Sequence, residues 1–162
     1  MAIKITGDWT GFERQLQKLV AFNFTGLHKE IGEAMVSSTQ ERFENGVGPD
    51  GKPWPPSRRA REGGGQTLVD TARLKNSITY RARPDQVAIG TNVIYAAVMQ
   101  GKDDKPTTIR AKRKKYLKFK VGDRWLVKKS VKIPARPFIG VSEDDEQEIK
   151  EIIQERIEEA LR

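Results

Sequence analysis

The chain has 162 residues, 36% of them hydrophobic and 32% charged, a length and balance that suit one globular domain over residues 1–162. It contains no cysteine, which excludes disulfide scaffolds, thiolate metal sites and cysteine nucleophiles, and no stretch approaches the roughly 18 apolar residues of a membrane span. The net charge of +8 is unevenly placed: residues 102–132 hold thirteen Lys or Arg against three Asp, a balance of +10, whereas 142–162 hold nine acids against three bases, a balance of −6.

Opposite potentials on one chain suit head-to-tail self-association at least as well as nucleic-acid binding, because they steer like copies together. The N-terminus Met1-Ala2-Ile3-Lys4 lacks the apolar run of a secretory signal, so a soluble, cytoplasmic product is expected.

Asp8 is placed to cap a first helix in which Trp9, Phe12, Leu16, Leu19 and Val20 recur at helical spacing, running to about Ala21. Thr25 is a plausible cap for a longer second helix with Leu27, Ile31, Ala34, Met35 and Phe43 on one stripe, ended by Asn45-Gly46. Residues 46–66 are rich in proline and glycine and read as a long loop without a regular element. Within it Pro49-Asp50-Gly51 suits a type I turn, and Trp54, beside Pro55 and Pro56, is the expected anchor.

Alternation over Ile78–Arg83, a Pro84-Asp85 break and the run Val87-Ala88-Ile89 predict a hairpin closed by Gly90. Thr91 or Asn92 can cap a short helix through Met99, ending near Gly101. A second long loop is expected over 102–115. It leads into a hairpin from Lys115 to Lys129 that turns at Gly122-Asp123 and sets Phe119 opposite Leu126. Tyr116, Trp125 and Val127 then share the other face, so both faces are partly apolar and one is available to a neighbour. Ser142 caps a final helix with a stripe of Ile149, Ile152, Ile153, Ile157, Ala160 and Leu161 and with acids in its first turn.

Catalytic signals are weak. His28 has no acid, serine or second histidine at triad or metal spacing, which favours a structural role. The run Glu143-Asp144-Asp145-Glu146 lacks the alternating ligands of a calcium loop, and Gly63-Gly64-Gly65-Gln66-Thr67 lacks the Gly-Lys-Ser/Thr ending of a phosphate loop. No cofactor is implied, and an enzyme such as a nuclease ranks last. The run from Arg110 to Lys120, with Arg110, Lys112, Arg113, Lys114 and Lys115 at its head, mixes cations with aromatics. It reads equally as a DNA-facing segment contacting phosphates or as a lysine-faced edge strand that blunts aggregation.

Four ordered segments carry a family resemblance: Pro49–Trp54, Leu68–Ile78, Ile89–Ala97 and Ile133–Gly140. Together they resemble the phage virion morphogenesis and tail-completion family, over roughly residues 27–162. Ala72 stands where such proteins usually have glycine, Ser57 where leucine is common, and Met99-Gln100-Gly101 where an aromatic often precedes the glycine. In the matched segments Gly90 is expected to let strand and helix meet closely, and the Pro134-Ala135-Arg136-Pro137 run to deliver Phe138 to the core. Arg136 then pairs either with an acid of its own chain or with a carboxylate of the next subunit.

The expected fold is α+β, an antiparallel sheet of two hairpins packed by the second helix and the C-terminal helix. The resemblance implies a non-catalytic structural subunit of the head–tail connector or neck, hexameric by analogy. It would act in the virion beside other neck, portal-adaptor or tail-tube proteins after assembly in the host cytoplasm. Head-side adaptor or stopper and tail-side terminator both stay open. The interface residues expected are Trp54, Tyr116, Trp125, Arg136, Glu151 and Glu155, with possible non-specific contact between the basic run and packaged DNA. The alternative is a basic DNA-binding protein with no sequence preference.

Overall fold

A computed structural model describes residues 9–162 except Asp104, Arg113, Gly122 and Asp123. The chain runs α1 (Thr10–Val20), α2 (Phe24–Asn45), α3 (Arg58–Gly63), α4 (Arg73–Asn76), β1 (Thr79–Ala82), β2 (Val87–Gly90) and α5 (Ala96–Gln100). It continues β3 (Thr107–Arg110), β4 (Leu117–Val121), β5 (Arg124–Lys128), β6 (Ser130–Ile133) and α6 (Glu143–Leu161). The class is α+β, with antiparallel ladders β1–β2, β3–β6 and β4–β5, each of two strands.

The expected Asp8 cap lies outside the described residues. Asn23 rather than Thr25 caps α2, its side chain accepting from the Gly26 amide at 2.9 Å. An Asx side chain two residues earlier satisfies a donor that Thr25, already inside the helix, cannot reach. Gly46 ends α2 at φ 69°, in the left-handed region open to glycine, and its amide donates to Arg42 O.

One face of α2 organises two apolar clusters. Phe43 meets Trp54, Leu74, Ile78, Val93, Ala96 and Phe138; Leu27, Ile31 and Met35 are covered by Ile149, Ile152 and Ile153 of α6 and by Val87 and Ile89 of the first hairpin. That hairpin has the expected pairing, from Thr79 opposite Gly90 to Ala82 opposite Val87. His28 is structural as anticipated, its Nδ1 lying 2.7 Å from Arg83 O.

Segment 133–140 is a strap across the core. The Arg136 amide donates to Met99 O at 2.7 Å, and the Gln100 side chain accepts from the amides of Phe138 and Ile139 and donates to Ile139 O. Trp54 Nε1 donates to Pro137 O at 2.7 Å. Gly101, at φ 78°, passes so close that a Cβ there would sit 2.6 Å from Ala135 Cβ, so glycine is required. Gly90 does not meet expectation: a Cβ added there touches nothing within 4 Å, and its place at the open end of β2 needs no close approach.

Both expected loops contain regular structure. Within 46–66, Ser57 caps α3 by accepting from the Ala60 amide. The Arg-Arg-Ala-Arg-Glu run between the prolines and the glycine triplet is long enough for one helical turn. Within 102–115, β3 pairs with β6, Thr107 opposite Ile133 and Arg110 opposite Ser130. Periodicity missed it because a four-residue strand of mixed polarity has no apolar alternation to read.

The second hairpin has the expected register, Phe119 opposite Leu126, while its turn at Gly122-Asp123 lies outside the described residues. The ladders β3–β6 and β4–β5 follow one another along the same two strand directions. Residues 111–116 intervene on one side and Lys129 alone on the other. The two ladders, consecutive in the chain and bridged where the Ala111 amide donates to Lys129 O, make up a β-ribbon with a basic bulge on one strand between them.

Candidate assembly interface

The ribbon segment, residues 107–133, carries eleven of the chain's 30 Lys and Arg against one Asp. On one face of β4–β5 the cross-strand pairs Lys118–Val127 and Lys120–Trp125 stand together. Lysines occupy the β4 row and apolar side chains the β5 row. Trp125 is 62% and Val127 58% exposed, and Lys118 Nζ lies 5.0 Å from the Trp125 ring centroid. Tyr116, also exposed, continues this face just before β4, with Lys115 Nζ 5.7 Å from its ring. The opposite face, Leu117, Phe119, Val121 and Leu126, is half-buried. Of the basic bulge, Lys112, Lys114 and Lys115 are exposed, Arg110 is exposed on β3, and Arg113 lies outside the described residues.

The negative charge lies on α6. Ser142 and Asp145 form a capping box that starts the helix. Asp145 is buried, accepting from Arg42, from Ser38 Oγ at 2.5 Å and from the Ser142 amide at 2.6 Å. Burial alone would raise its pKa, but hydrogen bonds from Ser38 and Ser142 and the Arg42 charge outweigh it and hold the carboxyl below the ordinary carboxylate range. Arg42 also donates to Phe138 O and to Gly140 O at 2.8 Å, so one buried ion pair joins α2, α6 and the strap. At the other end of α6, Arg156 is held by Glu30 of α2 and by Glu159.

Fixed in this way, α6 turns a row of acids outward. Asp144, Glu148, Glu151, Glu155 and Glu158 follow at steps of four and three residues, all exposed, on the side opposite the isoleucine stripe. Asp144 and Glu148, with Glu41 and Asp50, also line an open cleft of about 630 Å³ between α2, the Pro49 turn and the start of α6. Among the described residues, no cluster of His, Cys, Asp or Glu has the arrangement to hold a metal ion, and no helix is long and apolar enough to cross a membrane.

A third surface escaped the reading of the sequence. Helix α1 packs beside α6, and Lys18 Nζ donates to Leu161 O. None of its residues is buried. Its whole apolar stripe, Trp9, Phe12, Leu16 and Leu19, stays exposed, Trp9 at 57% and Phe12 at 52%. The spacing was visible in the sequence; that the stripe lacks a cover among the described residues was not.

Two expected interface residues lie inside the subunit. Trp54 is 5% exposed and stacks edge-on against Phe43, centroids 5.4 Å apart; the Pro-Asp-Gly turn folds the ring back onto α2 instead of presenting it to solvent. Arg136 is buried and donates through Nε to Pro55 O at 2.7 Å. Among the described residues no carboxylate pairs with it, and burial pulls its pKa down. Its contact is with the loop that holds Trp54. The other four, Tyr116, Trp125, Glu151 and Glu155, are on the surface, in two groups of opposite charge.

Residues 7–158 match the model of the phage virion morphogenesis family. The chain is 31% identical over 129 residues, 80% of its length and 75% of the relative's, to Mu-like prophage FluMu G protein 2 of Haemophilus influenzae. It is also 31% identical over 143 residues, 82% of its length and 78% of the relative's, to the putative capsid assembly protein G of Escherichia phage Mu. No solved structure matches.

Proposed function

We propose that this chain, which belongs to the phage virion morphogenesis family, is a non-catalytic subunit of a homo-oligomeric ring at the head–tail junction or tail end, required to complete tails and join them to heads. The observation that carries the reading is the pair of unlike exposed surfaces on one molecule. A lysine-rich ribbon with an aromatic face stands apart from a helix bearing a continuous row of acids. Unlike patches form heterologous contacts, and heterologous contacts close into rings when the rotation is right. A phage Mu relative named for capsid assembly supports a role in building the particle. The partners are further copies of the chain and the neck, portal-adaptor or tail-tube proteins above and below it.

A second reading applies to the basic bulge alone. Exposed Lys112, Lys114 and Lys115 beside Tyr116 favour phosphate contact with packaged DNA passing through such a ring. The test of the main reading is electron microscopy of particles made without the protein. Separate heads and tails, or tails with malformed ends, are expected; normal infectious particles would contradict the reading. A salt-dependent loss of duplex binding when Lys112, Lys114 and Lys115 become glutamate, with assembly intact, supports the DNA-facing bulge.

A further inference from the structure

The ribbon and the α1–α6 surface are each divided lengthwise into two rows. On the ribbon, Lys118 and Lys120 line β4 beside Trp125 and Val127 on β5. On the other surface, α1, whose apolar stripe is exposed, packs beside α6, whose outward side carries the acid row. The spacings agree: Phe12 and Leu16, four residues apart on a helix, are separated by about 6 Å along its axis, and Trp125 and Val127, two apart on one face of a strand, by about 7 Å. Adjacent helix axes lie about 8–10 Å apart and adjacent strands about 5 Å. Lysine side chains, several ångströms long, bridge that difference from the strand to the acid row. An eleven-residue helix is marginal in water unless its apolar face is covered, yet nothing among the described residues buries α1.

We infer that the β4–β5 ribbon of one copy lies along the α1–α6 surface of a second copy. Trp125 and Val127 pack on Phe12 and Leu16, and Lys118 and Lys120 face Glu151, Glu155 and Glu158. The occupant is a second copy because the ribbon offers both what α1 lacks, an apolar cover of matching spacing, and what the acid row attracts, a row of cations beside it. The inference rests on the ring reading and identifies its subunit contact. The apolar row supplies most of the affinity, since exposed ion pairs add little each, and the charges fix direction.

The native chain has no cysteine, which makes the contact directly testable. Two single variants, Phe12→Cys and Trp125→Cys, are mixed and oxidised with the full-length protein in its assembled state. A disulfide joining one variant to the other, and absent when either is oxidised alone, is the expected result. In parallel, Trp125→Ser with Val127→Ser should weaken self-association by about tenfold or more while leaving thermal unfolding of the subunit unchanged. Reversal of Lys118 and Lys120 to glutamate should be partly rescued by reversal of Glu155 and Glu158 to lysine. If the wild-type protein assembles but neither cross-link nor weakened association appears, this contact is wrong and the ring reading survives. If the wild-type protein stays monomeric at all concentrations, both fall.

Discussion

At the scale of single residues, Asp145 decides how α6 is held. Its carboxylate neutralises a buried guanidinium and caps its own helix, so Asp145→Ala leaves Arg42 buried and unpaired. Urea unfolding should show a loss of about 3–5 kcal/mol, against about 1 kcal/mol for removing the Ser142 cap alone. Because the folded-state pKa is lowered, the stabilisation is present above the ordinary carboxylate range and lost as pH falls through the lower folded value. Wild-type stability should therefore drop more steeply below about pH 4 than that of the Asp145→Ala variant.

Ala72 is a smaller case. It sits at φ 55° ahead of α4, a conformation costing an L-residue about 1–2 kcal/mol, and glycine returns part of that gain through unfolded-chain entropy. Ala72→Gly should raise stability by about 0.5–1 kcal/mol in thermal melts. The sequence showed the alanine as a departure from the family pattern. The reason glycine is preferred there is a left-handed angle, which no composition or spacing reveals.

At the scale of elements, α2, β1–β2, the β4–β5 register and α6 were legible because each has a strong period, a cap or a turn signal. Two kinds of feature were not. The strap contacts of Gln100 and Arg136 are long-range and polar, and amide side chains carry no periodicity. The loop helix α3 and strand β3 are too short to stand out from proline- and lysine-rich surroundings. The same limit explains Trp54: a tryptophan among prolines signals an anchor, but whether it anchors a core or a partner depends on where the turn folds back. Since it is core, Trp54→Ala should destabilise the isolated subunit by about 3–5 kcal/mol in chemical denaturation. Trp125→Ser should leave that measurement unchanged, because its ring is already in solvent.

At the scale of the whole molecule, a subunit with a compact centre carries two appendages with little among the described residues to cover them, the β4–β5 ribbon and α1. Such segments gain their cover on assembly. Amide hydrogen exchange should therefore be fast in residues 10–20, 117–121 and 124–128 of the free subunit and markedly slower in the assembled form, while α2 and the strap change little. Equal protection in both states would mean that neither appendage lies at a contact. Reversing the charge of Lys118 and Lys120 should slow assembly at low salt and matter less near 1 M, where the screening length falls to about 3 Å.

The central claim is that unlike surfaces of identical subunits meet and close. Electron microscopy of the purified, assembled protein tests it most directly. The account predicts class averages of closed rings with a single rotational symmetry above two, each subunit's ribbon reaching the α1–α6 face of its neighbour. Particles limited to monomers, or to dimers with the same face on both sides of a two-fold axis, would contradict it.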